Sequence, residues 1–209
     1  MRLVTVAHGT RYAPGNDVAR ALTAGAGELL GMPAVATYVE LAEPLFAEVV
    51  ATPEPTVVVP LLLSTGYHVR HDLAGTRALG PHPLLASAQA ARLQAAGAEP
   101  GRPVVMVAAG STDPLATRDL MLAALHLSAA WGGPVRWATL AGLGRRPAEV
   151  VRADDAVSPY LLAPGHFGDR LRAECAAAAV VADPIGAHAD VVDLVVERAR
   201  EQMAARRTA

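Results

Sequence analysis

Short β-branched apolar runs alternate along the chain with longer Ala- and Leu-rich stretches whose apolar positions recur every three or four residues. The first pattern predicts buried strands and the second amphipathic helices, and their alternation is that of βα units on a parallel sheet. In the first half, strands are expected at Leu3 to Ala7, Ala34 to Val39 and Thr56 to Leu63, with helices over Asp17 to Leu30 and Pro44 to Ala51. A helix from Pro83 to Ala96 is expected to cross into a second lobe. It is ended by Gly97 and the turn-rich Glu99-Pro100-Gly101-Arg102-Pro103. The second half repeats the order, with strands at Val104 to Ala108, Val135 to Leu140, Tyr160 to Ala163 and Val180 to Ala182. Its helices are expected at Leu115 to Trp131, Pro147 to Ala153, Phe167 to Ala178 and Ala189 to Arg207. The expected fold class is α/β, with two similar lobes, 1–97 and 103–209, each a parallel β-sheet flanked by helices.

The two halves are also alike residue by residue. Val4-Thr5-Val6-Ala7-His8-Gly9-Thr10 is echoed by Val105-Met106-Val107-Ala108-Ala109-Gly110-Ser111. The run from Pro60 to His68 is echoed by the run from Pro159 to Phe167. On this register His8 faces Ala109 and His68 faces Phe167, so ligand-type side chains survive in one copy only. A duplicated fold of this kind predicts a single, asymmetric site, with the second copy as its other wall.

Composition narrows the chemistry. Of the 209 residues 52% are hydrophobic, yet no apolar run approaches the roughly 18 residues of a membrane span. The opening Arg2-Leu3-Val4-Thr5-Val6 reads as a first strand rather than a leader, so a cytoplasmic protein is expected. One cysteine, Cys175, permits no internal disulfide and reads as a buried helix residue. All 18 basic residues are arginine. Without lysine there is neither a P-loop lysine for ATP nor a Schiff-base lysine. The net charge of -2 provides no general field for nucleic acid.

In open α/β sheets ligands bind beyond the carboxyl ends of the strands, and the first three strands deliver His8, Glu40 and His68 there. Two imidazoles and a carboxylate suit a borderline divalent ion and leave coordination positions open. Two solvated loop histidines with an unrelated Glu are the bland alternative. His71, beside Arg70 and Asp72, reads either as a helix-start residue or as lining the same cleft. His82, between two prolines, reads as a loop residue, His126 as a helix residue, and His188 as a cap of the last helix. His166 is one position out of register with His68 and can reach the site. The turn His8-Gly9-Thr10-Arg11 and its mate Gly110-Ser111-Thr112-Asp113 can bind anions through backbone amides, or can be ordinary βα turns. Arg145 and Arg146 can add positive charge to the same cleft.

These residues match a known pattern. Ala7-His8-Gly9-Thr10-Arg11, Tyr38-Val39-Glu40-Leu41-Ala42-Glu43-Pro44, Val59 to Leu63 running into His68-Val69-Arg70-His71-Asp72, Gly110 to Pro114, Tyr160-Leu161-Leu162 with Gly165, and Ile185 to His188 occur in order over nearly the whole chain. The chain resembles the class II, ATP-independent tetrapyrrole chelatases of the sirohydrochlorin cobalto- and ferrochelatase type. The resemblance implies two similar lobes with the macrocycle in the cleft between them. It implies that His8, Glu40 and His68 form the metal and catalytic site, and that Co²⁺ or Fe²⁺ is inserted into sirohydrochlorin for cobalamin or siroheme synthesis. The expected cofactor set is empty beyond the metal substrate.

Thr10, Arg11, Ser64, Thr65, Ser111 and Thr112 are expected to bind the carboxylates of the macrocycle. The expected partners are the tetrapyrrole and the metal ion, with no nucleic acid and no membrane. Both cleft walls lie in one chain, so a monomer is expected. A carrier that uses the same cleft without turnover stays open as an alternative. A phosphoryl-transfer enzyme is less well matched, because Ala7 stands where histidine phosphatases have an arginine.

Overall fold

In the computed structural model, which describes residues 1–65, 73 and 76–208, the β-branched runs pair into two parallel sheets. The first contains β1 (Arg2–Ala7), β2 (Ala34–Tyr38) and β3 (Thr56–Pro60) in the order β2-β1-β3. The second contains β4 (Val104–Ala108), β5 (Val135–Thr139), β6 (Ala156–Tyr160) and β7 (Val180–Val181) in the order β5-β4-β6-β7. The central strands β1, β4 and β6 are the most completely buried, as a parallel sheet covered by helices requires. Leu3, Val4, Val6, Val104, Val105, Met106 and Val107 are all fully buried.

Among the described residues the helices are α1 (Ala13–Leu30), α2 (Phe46–Val50), α3 (Pro83–Ala95), α4 (Pro114–Trp131), α5 (Pro147–Val150), α6 (His166–Glu174) and α7 (Ala189–Thr208). The mates α1 and α4 obey the same start and stop chemistry, with proline in the first turn and a left-handed glycine, Gly31 or Gly132, after the last. No helix among the described residues is long and apolar enough to cross a membrane.

One strand lies earlier than expected. The third strand of the second half spans Ala156–Tyr160 rather than Tyr160 to Ala163, so Pro159 is inside it. This is tolerated because β7 pairs only with Ala156 and Val157, leaving no ladder partner on the side where Pro159 lacks its N–H.

The helices are divided between the sheets in an order that the sequence does not follow. One compact unit gathers Met1–Leu62 with the C-terminal segment from Ala187, and the other gathers Gly80–Gly186 with Leu63 to Thr65. Thus α7 packs on α1 and β3 of the first sheet, while α3 packs on α4 and β6 of the second. The expected boundaries, 1–97 and 103–209, follow chain order, whereas these two helices are exchanged. Periodicity fixes which face of a helix is apolar but not which sheet covers it.

α3 and α7 are themselves repeat mates. Each follows a glycine and a histidine, Gly80-Pro81-His82 or Gly186-Ala187-His188, and carries an arginine ten positions later, Arg92 or Arg198. His82 Nδ1 accepts the Leu84 amide at 3.3 Å and His188 Nδ1 accepts the Asp190 amide at 3.2 Å. The cap expected of His188 is therefore present, and the same cap operates at His82.

The second unit contains a buried ion pair: the Arg136 guanidinium bonds Asp155, whose side chain is 1% exposed. Asp155 also accepts the Arg152 amide at 2.7 Å. Asp155→Ala should destabilise this unit by about 2–4 kcal/mol, since Arg136 is left partly desolvated without its counter-charge. Urea unfolding of the variant measures this, and a change within error of zero would show that the pair contributes nothing net.

Candidate functional site

Parallel pairing of β1 with β2 continues past the ends of both strands. The Val39 amide donates to Ala7 O at 2.9 Å and the Glu40 amide to His8 O at 3.1 Å. The side chains at positions 8 and 40 therefore leave the carboxyl edge of the first sheet side by side. His8 Nε2 lies 3.4 Å from Glu40 Oε1, with the two side chains 47% and 54% exposed. His8 Nδ1 is 3.3 Å from Gly9 O. A proton on Nδ1 donates to that carbonyl and leaves the Nε2 lone pair turned toward the carboxylate.

An imidazole lone pair and a carboxylate oxygen repel unless a cation stands between them. A divalent ion about 2.1 Å from each of two atoms 3.4 Å apart would subtend roughly 110°, close to a tetrahedral angle. The pair can hold either a proton or a metal ion. The third expected ligand, His68, lies outside the described residues, as do Arg70, His71 and Asp72. Among the described residues no group of three or more His, Cys, Asp or Glu side chains is arranged to hold a metal.

The turn between His8 and α1 depends on Gly9. Its φ is +95°, and a Cβ there would stand 1.8 Å from Glu40 O. Gly110 repeats this, with φ +91° and 1.9 Å to Ala141 O. In the second copy the Leu140 and Ala141 amides donate to Ala108 O and Ala109 O, both at 2.9 Å. Ala109 and Ala141 hence occupy the backbone positions of His8 and Glu40. The sequence repeat pairs Ala109 with His8. The strand-end register adds that the carboxylate is lost as well, which the alignment of Tyr38-Val39-Glu40 with Thr139-Leu140-Ala141 could have revealed.

Gly9→Ala and Gly110→Ala should each cost roughly 2–4 kcal/mol of stability, because the clash is with backbone and the φ is unfavourable to any Cβ. Calorimetry of the two variants checks this. Only Gly9→Ala should also displace the His8 and Glu40 side chains.

The turn residues expected to meet anions are engaged in building the turns. Thr10 Oγ1 accepts the Tyr12 amide and Ser111 Oγ the Asp113 amide, both at 3.1 Å. Asn16 bridges the Thr10 amide and carbonyl at 3.2 and 2.7 Å. The Thr65 amide is bonded to Asp119 at 2.7 Å. Arg11 and Thr112 are exposed and Ser64 is half-buried. Arg146 ties its own turn together through Thr139 O and Gly142 O, and Arg145 reaches Glu149, so neither is a free cation. His166 is the first residue of α6 and its ring stands edge-on to Phe167, centroids 5.6 Å apart. Cys175 is buried, and burial followed by the nearby Glu174 charge pushes its thiol up to about 11, so it is not a nucleophile near neutral pH. A cavity of about 270 Å³ in the second unit is lined by Arg92, Arg172, Asp169 and Asp183, whose charges balance.

Sequence reasoning did not single out Leu41. It follows Glu40 and has φ +65°, a left-handed conformation that costs a residue with a Cβ roughly 1 kcal/mol. The equivalent position in the second copy is Gly142, at φ +66°.

The family model CbiX matches residues 2–96. No protein of curated function matches the chain. Among solved structures, SirB from Bacillus subtilis with Fe3+ is 23% identical, with 99% of this chain and 97% of that one covered and a TM-score of 0.79. The sirohydrochlorin chelatase SirB from Bacillus subtilis subspecies spizizenii, in complex with cobalt, is 22% identical over 99% and 97%, with a TM-score of 0.80. CbiX, described as the terminal enzyme for biosynthesis of siroheme in denitrifying bacteria, is 20% identical over 96% and 99%, with a TM-score of 0.73. At these identities the likenesses show a common two-sheet α/β fold.

Proposed function

We propose that this chain, whose residues 2–96 match the CbiX family model, is a class II tetrapyrrole chelatase that inserts a divalent metal into sirohydrochlorin without ATP. The observation that carries this reading is the half-exposed His8–Glu40 pair at 3.4 Å on the carboxyl edge of a parallel sheet. Insertion exchanges two pyrrole N–H protons for one M²⁺, so a site must hold the ion loosely and accept a proton. His8, through Nε2, is the proposed metal donor. Glu40 contributes negative charge to the ion and receives one pyrrole proton, and the second passes to solvent. His68 is the proposed further ligand. Arg11, Ser64 and Thr112, with the hydroxyls of Thr10, Thr65 and Ser111, are proposed to bind the carboxylates at the rim of the macrocycle.

Imidazole and carboxylate do not discriminate sharply among first-row ions, so Co²⁺ and Fe²⁺ are both proposed substrates, and the product is a precursor of cobalamin or siroheme. The related SirB structures hold iron in one case and cobalt in the other. The proposed location is the cytoplasm and the proposed active form a monomer. Purified protein, sirohydrochlorin in excess and Co²⁺ or Fe²⁺, mixed without oxygen, should give many turnovers of metallated product, followed by absorption. A rate equal to that without protein would refute the reading, and conversion limited to one equivalent of protein would indicate the carrier instead.

A further inference from the structure

We infer that Leu41 is a substrate-positioning residue, whose side chain contacts the apolar face of a tetrapyrrole held at the His8–Glu40 pair. This rests on the chelatase reading of that pair. The two copies of the turn differ at this position in a way that their backbones do not. Both need a left-handed residue after the second strand, at φ +65° and +66°, and the second copy meets the need with Gly142. There a Cβ would lie 2.2 Å from Ser111 O, and the Leu143 amide closes the turn directly onto that carbonyl at 2.8 Å. In the first copy the equivalent carbonyl, Thr10 O, accepts the Asn16 side-chain amide instead.

The first copy thus carries a branched side chain in a conformation that favours glycine, and folding does not compensate by burying it. Leu41 is 48% exposed, although a leucine in an unfavourable φ is ordinarily retained where packing holds it. It is joined directly to Glu40, one of the two groups proposed to handle the metal and proton. A tetrapyrrole is flat, with an apolar conjugated face and carboxylates at its rim. Such a face needs an apolar support beside the metal donors to bring the ring nitrogens over the ion. Leu41 supplies a contact of this kind in the copy that has the donors, and Gly142 withholds it in the copy that has alanines in their place.

The test uses the full chain with Leu41→Gly, Leu41→Asn and Leu41→Met. Binding of metal-free sirohydrochlorin is read by fluorescence quenching, KM and kcat by metal insertion, and Tm by calorimetry. Leu41→Gly and Leu41→Asn, which suit a positive φ, should raise Tm by about 2–4 °C. They should also weaken binding and raise KM about 5–10-fold, with kcat within about twofold. Leu41→Met, which keeps the apolar contact, should stay within about threefold of the unaltered protein in both. Unchanged binding and KM in Leu41→Gly would overturn the inference, and so would a loss confined to kcat, since that would make Leu41 only a support for Glu40. If the unaltered protein binds the macrocycle but does not metallate it, the chelatase reading fails while the binding measurements still decide the role of Leu41. If it does not bind the macrocycle, both fail.

Discussion

His8→Ala should lower metal insertion by about 10²–10³-fold with little loss of stability. The imidazole stands beyond the end of β1, about half exposed, and contributes no core packing. Its removal therefore resembles other surface truncations, within roughly 0.5 kcal/mol. What is lost is the Nε2 lone pair beside the Glu40 carboxylate. Without it the ion would keep only Glu40 and the proposed ligand His68, a set that binds more weakly and orients the ion less well. Glu40→Gln keeps the shape of the side chain but removes the charge and the proton acceptor, so it should fall as far in kcat. Two histidines serve as controls. His126→Ala, in α4, should leave insertion unchanged. His82→Ala should cost about 1 kcal/mol through its helix cap and leave kcat within twofold. Steady-state insertion rates beside thermal melts separate these outcomes, and equal losses at His8 and His126 would exclude the assignment.

The second large effect concerns the exchanged helices. A chain ending at Gly186 should lose the fold of the first unit and keep that of the second. α7 buries Val191, Leu194, Val195, Val196 and Ala199. At about 1.5–2 kcal/mol for each of the four larger side chains, its removal forfeits roughly 6–8 kcal/mol, comparable to the whole stability of a small domain. Gln202 adds two hydrogen bonds to edge strand β3, accepting the Val58 amide at 2.8 Å and donating to Val58 O at 3.3 Å. Hydrogen exchange of the shortened chain should find β1, β2 and β3 unprotected and β4, β5 and β6 protected. Retained protection in β1 would refute this dependence.

Much of the site was legible because strand-end position is a local property. A β-branched run that stops at Ala7 and another that stops near Tyr38 suffice to place His8 and Glu40 at one sheet edge. The start of β6 at Ala156 is not legible, because a proline at 159 is compatible with a strand only where the neighbouring β7 is too short to need its N–H. The exchange of α3 and α7 was not legible from helical periodicity, since two apolar sheet faces attract an apolar helix equally well. The Gly-x-His start and the arginine ten positions later mark these helices as mates, which means that both stay with their own sheet or both are exchanged, without saying which. Leu41 was hidden for a different reason: nothing in a sequence announces a positive φ at leucine, and only its glycine mate hints at it. The turn roles of Thr10 and Ser111 were readable either way, as anion contacts or as turn formers, and their hydrogen bonds favour turn building.

The exchanged helices also bear on the order in which the molecule acquires structure. The strands β1, β2 and β3 lie near one end of the sequence, yet the helix that completes their unit begins at Ala189, so their contacts span nearly the whole of it. The segment Gly80–Gly186 carries almost all of its own unit and can close without waiting for the last helix to dock. Contacts distant in sequence form slowly, and nearby ones quickly. The unit carrying His8 and Glu40 is therefore expected to fold after the other one.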